Sequence, residues 1–394
     1  MPPPAGEATI MLRQNCKIFS ERKKSGLYIH IPFCAGKCAY CNFYSITSVN
    51  LIPQFVSALV KEIELYRGRF ESFDTVYIGG GTPSLLTSGQ LANIIAAVNK
   101  FHKVDHKSEI TLEVNPGDVS VEYYKSILSL GINRLNIGIQ SFDDKVLTFL
   151  GRRHDASEAH KAFQDARAAG FINVGFDLIY GIHGQSINLW KKTLAQARAL
   201  GPEHLSCYQL TMEANTPLYK KYREKKIKEF SESRQRKIFF VTAEELKKAG
   251  YIHYEVSNFA RAVSLKSRHN TKYWNHTSYL GLGPAAHSFL ENRRWWNTAS
   301  VKNYLGMISC GKMPVKTEET LTAEQLKLET LFLGLRTKDG VNLELYKRKY
   351  GTDLLEEKKP VIDSLIINKL VEVKNGHLRP TLAGMAVADS LSLI

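Results

Sequence analysis

A chain of 394 residues accommodates one large α/β domain and a smaller one beside it. Its 44% hydrophobic and 23% charged content is that of an ordinary globular protein. No apolar run approaches the ~18 residues that a membrane-spanning helix needs. The formal net charge of +15 serves solubility or attraction to an anionic ligand, an acidic protein or a membrane surface. Without a recognisable nucleic-acid module beside it, this charge does not predict nucleic-acid binding.

Residues 1–26 read as a flexible basic tail with no apolar segment of the secretory kind. Arg13, Lys17, Arg22, Lys23 and Lys24 raise an organellar transit segment, against which Glu7 and Glu21 count. Met11 offers a second start downstream of Met1. Six cysteines, three of them clustered, do not form a disulfide framework, and a reducing compartment such as the cytoplasm is expected.

Residues 27–312 alternate strand-like apolar runs with amphipathic helical stretches. The strands are expected at Leu27–Ile31, Thr75–Ile78, Ile110–Val114, Arg134–Ile139, Asn173–Ile179 and His204–Leu210. Between them, helical periodicity covers Pro53–Tyr66, Ser88–Phe101, Val121–Leu130, Ala156–Ala169 and Leu189–Leu200. Such β–α alternation predicts an α/β fold with a parallel sheet and right-handed crossovers. Six units are too few for a closed eight-fold barrel and suit a partial (β/α)6 barrel, whose ligands sit at the C-terminal strand ends.

Directly after the first strand comes Cys34-Ala35-Gly36-Lys37-Cys38-Ala39-Tyr40-Cys41, spaced C-x3-C-x2-C. A loop this short can present three thiolates to one iron–sulfur cube and leave the fourth iron open. A zinc site or three unrelated buried thiols are the competing readings, although zinc usually takes four ligands in paired sets. Cys16, Cys207 and Cys310 stand apart and are not expected to ligate. The second strand runs into Gly79-Gly80-Gly81-Thr82-Pro83-Ser84, whose glycines permit positive φ and close approach of a ligand. Glu113 ends the third strand, Gln140 the fourth, and Arg152 follows soon after. Asp177 lies inside the apolar fifth strand, where a carboxylate needs a partner: a ligand or an arginine.

The cysteine spacing, with an aromatic residue just before the last cysteine, resembles the radical S-adenosylmethionine (SAM) family. Tyr28-x-His30-Ile31-Pro32-Phe33-Cys34, the Gly79–Ser84 turn, Glu113-x-Asn115-Pro116, Gln140-Ser141-Phe142 and Asp177–Gly181 follow in order. Together they resemble the oxygen-independent coproporphyrinogen III oxidase family and its heme-chaperone branch, over about residues 27–390. The resemblance implies a radical-SAM (β/α)6 barrel with an α+β extension. It implies a 4Fe–4S cluster on Cys34, Cys38 and Cys41, and SAM held on the open iron. Tyr28, Tyr40, Gly80, Gly81, Thr82, Glu113, Gln140, Arg152 and Asp177 are the implied SAM contacts. The implied chemistry is one-electron cleavage of SAM to methionine and a 5′-deoxyadenosyl radical. His183, where the family usually has proline, alters one turn.

Beyond the sixth strand, Lys220, Lys221, Arg223, Lys225, Lys226 and Lys228 form a basic run read as a solvated face, before a helix ending near Gly250. A belt dense in His, Tyr and Trp then runs without clear periodicity and reads as pocket lining rather than core. Within it His269, Asn270, Tyr273 and Trp274 resemble the heme-binding segment of the chaperone branch, with Ser267 where a cysteine is common. His287 follows as a second histidine of interest.

From Met313 the composition shifts, and residues 313–394 read as a small helical, winged-helix-like domain. Helices are expected at Leu321–Leu335, Pro360–Leu370 and Pro380–Ser390, with a hairpin at Val371–Leu378 turning on Asn375-Gly376. The apolar stripe of the first is Leu328, Leu331, Phe332 and Leu335.

Two functions fit this scaffold: a chaperone that binds heme and passes it to a hemoprotein, or an oxidase decarboxylating coproporphyrinogen III. True oxidases resemble one another in a fourth cysteine two residues after the third, a position held here by Phe43. The chaperone is therefore favoured. Its expected partners are heme or a related tetrapyrrole, an electron donor, and a heme-accepting protein that includes membrane-associated candidates. The expected location is the cytoplasm, with a peripheral place at the membrane left open.

Overall fold

The computed structural model describes residues 24–391. Most of the predicted tail, Cys16 included, lies outside the described residues. Six parallel strands run in sequence order: β1 (Ser25–Ile31), β2 (Phe73–Gly80), β3 (Val104–Val114), β4 (Arg134–Gln140), β5 (Val174–Tyr180) and β6 (His204–Gln209). Helices Ile52–Leu65, Ser88–Phe101, Val121–Ser129, Ala156–Ala168 and Ile187–Leu200 return the chain between them. Side chains at helix starts take up the bare backbone N–H groups: Thr87 and Gln90 cap one start reciprocally, as do Asp155 and Glu158. The strands read as near-continuous apolar runs because helices cover one face and the opposite face closes on a lumen. Leu27, Ile29, Ile31, Ile78, Leu112, Leu135, Ile137, Ile139, Phe176 and Leu178 are all buried.

β1 starts at Ser25, so the predicted tail ends two residues early. The α+β extension is a continuation of the same sheet on both edges. β7 (Ile252–His253) and β8 (Asn258–Ala260) add antiparallel to β6. On the other side β9 (Tyr279–Leu282) pairs parallel with β1, and β10 (His287–Leu290), β11 (Arg293–Asn297) and β12 (Val315–Thr320) follow antiparallel. The result is one twelve-stranded sheet. β1 therefore pairs with β9 and not with β6, and the barrel stays open. The His/Tyr/Trp belt, expected without periodicity, contains these short strands and a seven-residue helix, Arg268–Trp274. Its pairing partners lie far off in sequence, which is why no local pattern announced them.

β12 belongs to the main sheet although it follows residue 313, and the second core begins with helix Ala323–Gly334. That core gathers Leu331, Leu335, Val341, Tyr346, Leu354, Ile362, Val371 and Leu378. Leu328 and Phe332 do not join it; they are 48% and 38% exposed. β14 (Val371–Lys374) and β15 (His377–Pro380) form the expected hairpin, joined by β13 (Val341–Asn342). The last helix is broken into Leu382–Met385 and Ala388–Leu391. All six residues of the basic run are exposed, as a solvated face requires. No helix among the described residues is long and apolar enough to cross a membrane.

One buried carboxylate ties the extension to the barrel. Glu62, fully buried in helix Ile52–Leu65, accepts from Gly283 N–H (2.8 Å), Asn297 Nδ2 (2.6 Å) and Tyr304 O–H (2.7 Å). Burial pushes its carboxyl up to about 7, against the pull of Tyr304, Gly283 and Asn297. With the folded value above the ordinary 4.5, the native state holds the proton more tightly than the unfolded chain. The stability this group confers is complete below that ordinary value and is lost as pH rises towards about 7. Glu62→Ala bares three buried donors at about 1–3 kcal/mol each. Chemical denaturation should show a larger deficit for the variant at pH 5 than at pH 8; an equal deficit at both would contradict the assignment.

Candidate functional site

The cysteine loop is pinned at both ends and in the middle. Cys34 N–H donates to Ile46 O (3.0 Å), Ile46 N–H to Pro32 O (2.9 Å), and Ala39 N–H to Leu150 O (3.1 Å). Leu218 N–H donates to Ala39 O (2.9 Å), which brings in the chain after β6. The β1–β2 ladder runs past the strand ends, Gly81 N–H to Ile31 O (2.8 Å) and Thr82 N–H to Phe33 O (2.7 Å). The glycine turn is thereby fastened to the loop.

This fastening gives the glycines a reason within the fold. Of Gly79, Gly80 and Gly81 only Gly80 has positive φ, at 110°. A Cβ at Gly80 would run into the His30 ring, and one at Gly81 would meet Phe33 O at 2.6 Å. These positions exclude side chains because β1 and the loop crowd them.

A cavity of about 190 Å³ opens at the C-terminal strand ends. Cys34, Cys38, Cys41, Tyr40, Gly80, Gly81, Thr82, Glu113, Gln140, Arg152 and Asp177 all line it, together with Asn115, Asn136, Phe43, Lys37 and Arg153. Tyr28 does not; its hydroxyl meets His30 Nδ1 (3.0 Å), and His30 Nε2 in turn donates to Tyr44 O (2.9 Å).

A polar chain links two of the thiols around this cavity. Arg152 NH1 donates to Cys38 Sγ (3.5 Å), and NH2 donates to Asn115 Oδ1 and Gly138 O, both at 2.7 Å. Asn115 Nδ2 donates to Thr82 Oγ1 (3.0 Å), and the Thr82 hydroxyl donates to Cys34 Sγ (3.4 Å). Burial pushes the Cys41 thiol up. Cys207 is buried on β6 with its thiol pushed up by burial, and Cys310 is exposed; neither lines this cavity.

Two carboxylates face the cavity. Glu113 accepts from Tyr77 O–H (2.7 Å) and Gly80 N–H (3.0 Å), and burial raises it to about 7. Asp177 accepts from Asn136 Nδ2 (2.6 Å) and is raised by burial to about 6, against the pull of Ser206 and Asn136. Where a ligand or an arginine is expected, the protein partner of Asp177 is an asparagine. Its Oδ1 and the Nε of Arg152 are buried without a hydrogen-bond partner among the described residues. Gln140 holds φ 65°, a left-handed conformation that a non-glycine residue adopts at a cost. Three thiols, unpartnered polar atoms and a strained strand end on one wall suit a thiolate-held cluster and a polar, charged ligand beside it.

Sequence reasoning passed over Asn136 and Asn115 as site residues. A signal for the first existed: Arg134, Asn136, Gly138 and Gln140 alternate along an otherwise apolar strand, so all point to one face.

A second cavity of about 540 Å³ continues inward from the first, sharing Tyr40, Cys41, Phe43, Glu113, Asn136, Asp177 and Tyr208. It is the barrel lumen, with Tyr77, Arg134, His204, Ser206 and Asn270 deeper in. Phe43 is 67% exposed at the mouth of both cavities.

Helix Arg268–Trp274 closes the opposite, N-terminal end of the barrel. Glu109 on β3 accepts the Arg268 and His269 amides, and Lys272 reaches Lys24 O and Asp74 at the starts of β1 and β2. The predicted heme residues consequently diverge. His269 is 1% exposed, bonded through Nδ1 to Thr75 Oγ1 (2.9 Å) and through Nε2 to the Tyr273 hydroxyl (2.9 Å). Burial brings its imidazole down to about 3, so it is neutral. Asn270 lines the lumen, Tyr273 a separate groove with His287, and Trp274 lies under Arg336, 5.4 Å from its ring. His102, directly after helix Ser88–Phe101, is buried and bonded to Ile63 O (2.9 Å).

Comparison with known proteins agrees with this geometry. The Radical SAM superfamily model matches residues 28–197, and the HemN C-terminal domain model matches residues 321–387. The chain is 34% identical to the heme chaperone HemW of Bacillus subtilis, over 83% of this chain and 87% of that protein. Against the heme chaperone HemW of Lactococcus lactis the identity is 31%, over 94% and 97%. A radical S-adenosyl methionine domain-containing protein 1, mitochondrial, of Danio rerio is 30% identical over 95% and 87%. Among solved structures, Escherichia coli coproporphyrinogen III oxidase (HemN) superposes with a TM-score of 0.81 at 22% identity, over 95% of this chain and 90% of that one. That likeness shows the fold.

Proposed function

Because the chain belongs to the HemW heme-chaperone family of radical SAM proteins, we propose that it binds heme beside a SAM-bound 4Fe–4S cluster and delivers it to a hemoprotein. Cys34, Cys38 and Cys41 are the cluster ligands in this reading, with SAM on the iron they leave open. When bound, the reduced cluster supplies an electron to the SAM sulfonium. Arg152, Asn115 and Thr82 orient two of the ligating sulfurs through the polar chain between them. Gly80, Gly81, Glu113, Gln140 and Asp177 provide the polar wall for SAM, Tyr40 covers it, and Tyr28 acts from behind through His30.

The lumen is the receiving space for heme, since about 540 Å³ lies within the range of small-molecule sites. His269, Asn270, Tyr273 and Trp274 belong to this reading as the segment that seals the lumen. His269 becomes an iron ligand only by giving up Thr75 or Tyr273. The barrel with its extension acts as the working unit and the C-terminal domain as a cover beside it. An electron donor and a heme-accepting protein are the partners required. A net charge of +15 suits an acceptor at an anionic membrane surface, and a thiolate-held cluster suits a reducing compartment such as the cytoplasm.

The observation that carries the choice of chaperone over oxidase is Phe43, an exposed apolar side chain where oxidases resemble one another in a cysteine. Under anaerobic conditions with SAM and a reductant, the reconstituted protein should leave coproporphyrinogen III unchanged. Release of the divinyl product would overturn the chaperone reading in favour of the oxidase.

A further inference from the structure

Arg134 opens β4 and is 1% exposed, with its side chain on the floor of the lumen. That side chain makes no hydrogen bond and no ion pair with any described residue, and its Nε is buried without a partner. A guanidinium cannot escape burial by losing its proton, so the fold carries a buried cation with no hydrogen-bonded counter-ion. None of the nearby carboxylates bonds to Arg134, although Asp177 feels its charge through space. Glu113 takes Tyr77 and Gly80, Asp177 takes Asn136, and Glu109 takes two backbone amides. In the same lumen, the Asn270 side-chain amide makes no hydrogen bond with a described residue, and His204 Nδ1 is also unpartnered. Ile179 and Leu210 give the wall above an apolar character.

We propose that Arg134 receives a carboxylate of the ligand that fills the lumen, with the Asn270 amide as a second donor. The planar fork of the guanidinium matches a carboxylate in two parallel hydrogen bonds. This inference rests on the tetrapyrrole reading for the identity of the carboxylate, a propionate, while a free carboxylate anion presents the same chemistry.

Metal-free protoporphyrin IX and its dimethyl ester, titrated by fluorescence into the full chain, separate carboxylate recognition from iron ligation. Arg134→Met should weaken binding of the acid by about tenfold or more, the loss of a charge-assisted pair. The same variant should bind the ester as the unaltered protein does, and Arg134→Lys should retain part of the affinity for the acid. Without ligand, Arg134→Met should melt at or above the unaltered protein, because an unpaired buried charge has been removed. A lower melting temperature would assign Arg134 a structural role and overturn the proposal. Millimolar glutarate should raise the melting temperature of the unaltered protein and not that of Arg134→Met. If the unaltered protein binds neither porphyrin, the tetrapyrrole reading fails and the glutarate comparison alone decides the site. Acid and ester bound alike by both proteins, with no glutarate response, would refute it.

Discussion

Alanine at Cys34, Cys38 or Cys41 should abolish the brown chromophore that anaerobic reconstitution with iron and sulfide gives the unaltered protein. The three thiols share one cavity wall, and each is part of a loop anchored by backbone bonds to Ile46, Leu150 and Pro32. Losing one leaves a site too poor in thiolates for a cube whose fourth iron already lacks a protein ligand. Cys207→Ala and Cys310→Ala should keep the chromophore, because one thiol is buried on β6 and the other is exposed away from the cavity. An absorption spectrum bleached by Cys207→Ala would refute the assignment.

Asp177→Asn should weaken the response of the reduced cluster's EPR spectrum to SAM by about 1–3 kcal/mol, or roughly 5- to 150-fold in the SAM concentration required. Asn preserves the side-chain shape beside Asn136 while removing the charge and an acceptor. The Asp177 Oδ1 is buried without a hydrogen-bond partner among the described residues, so it is available to a ligand. Glu113→Ala should weaken the same response, but it also bares the Tyr77 hydroxyl and Gly80 N–H. Asp177→Asn is therefore the cleaner reading. An unchanged SAM titration for it, with the cluster intact, would remove Asp177 from the site.

The six parallel strands were legible because each is a short apolar run followed by a helix of clear period. Their C-terminal ends were legible as a site because polar residues interrupt those runs at Glu113, Gln140 and Asp177. What escaped depends on long-range contact. β9 joins β1 although some 250 residues separate them in the chain, and β7 and β8 are too short to carry an alternating pattern. Glu62 sits in an amphipathic helix where a glutamate ordinarily faces water; only the arrival of Gly283, Asn297 and Tyr304 turns its place into a buried node. His269 stands in a stretch that reads as polar, yet Thr75 and Tyr273 hold it inside the barrel end. The exposed Leu328 and Phe332 show the converse: helical spacing defines a stripe, but the neighbouring elements decide how much of it is covered.

The most direct test of the heme-chaperone account is a hemin titration of the purified full chain followed in the Soret band. The account predicts a saturable shift with a stoichiometry near one. His269→Ala should alter that spectrum or weaken binding, whereas His106→Ala, a change at an exposed ring, should not. Identical titrations of both variants would move the iron ligand away from His269. A Soret change in the unaltered protein that never saturates would contradict the account itself.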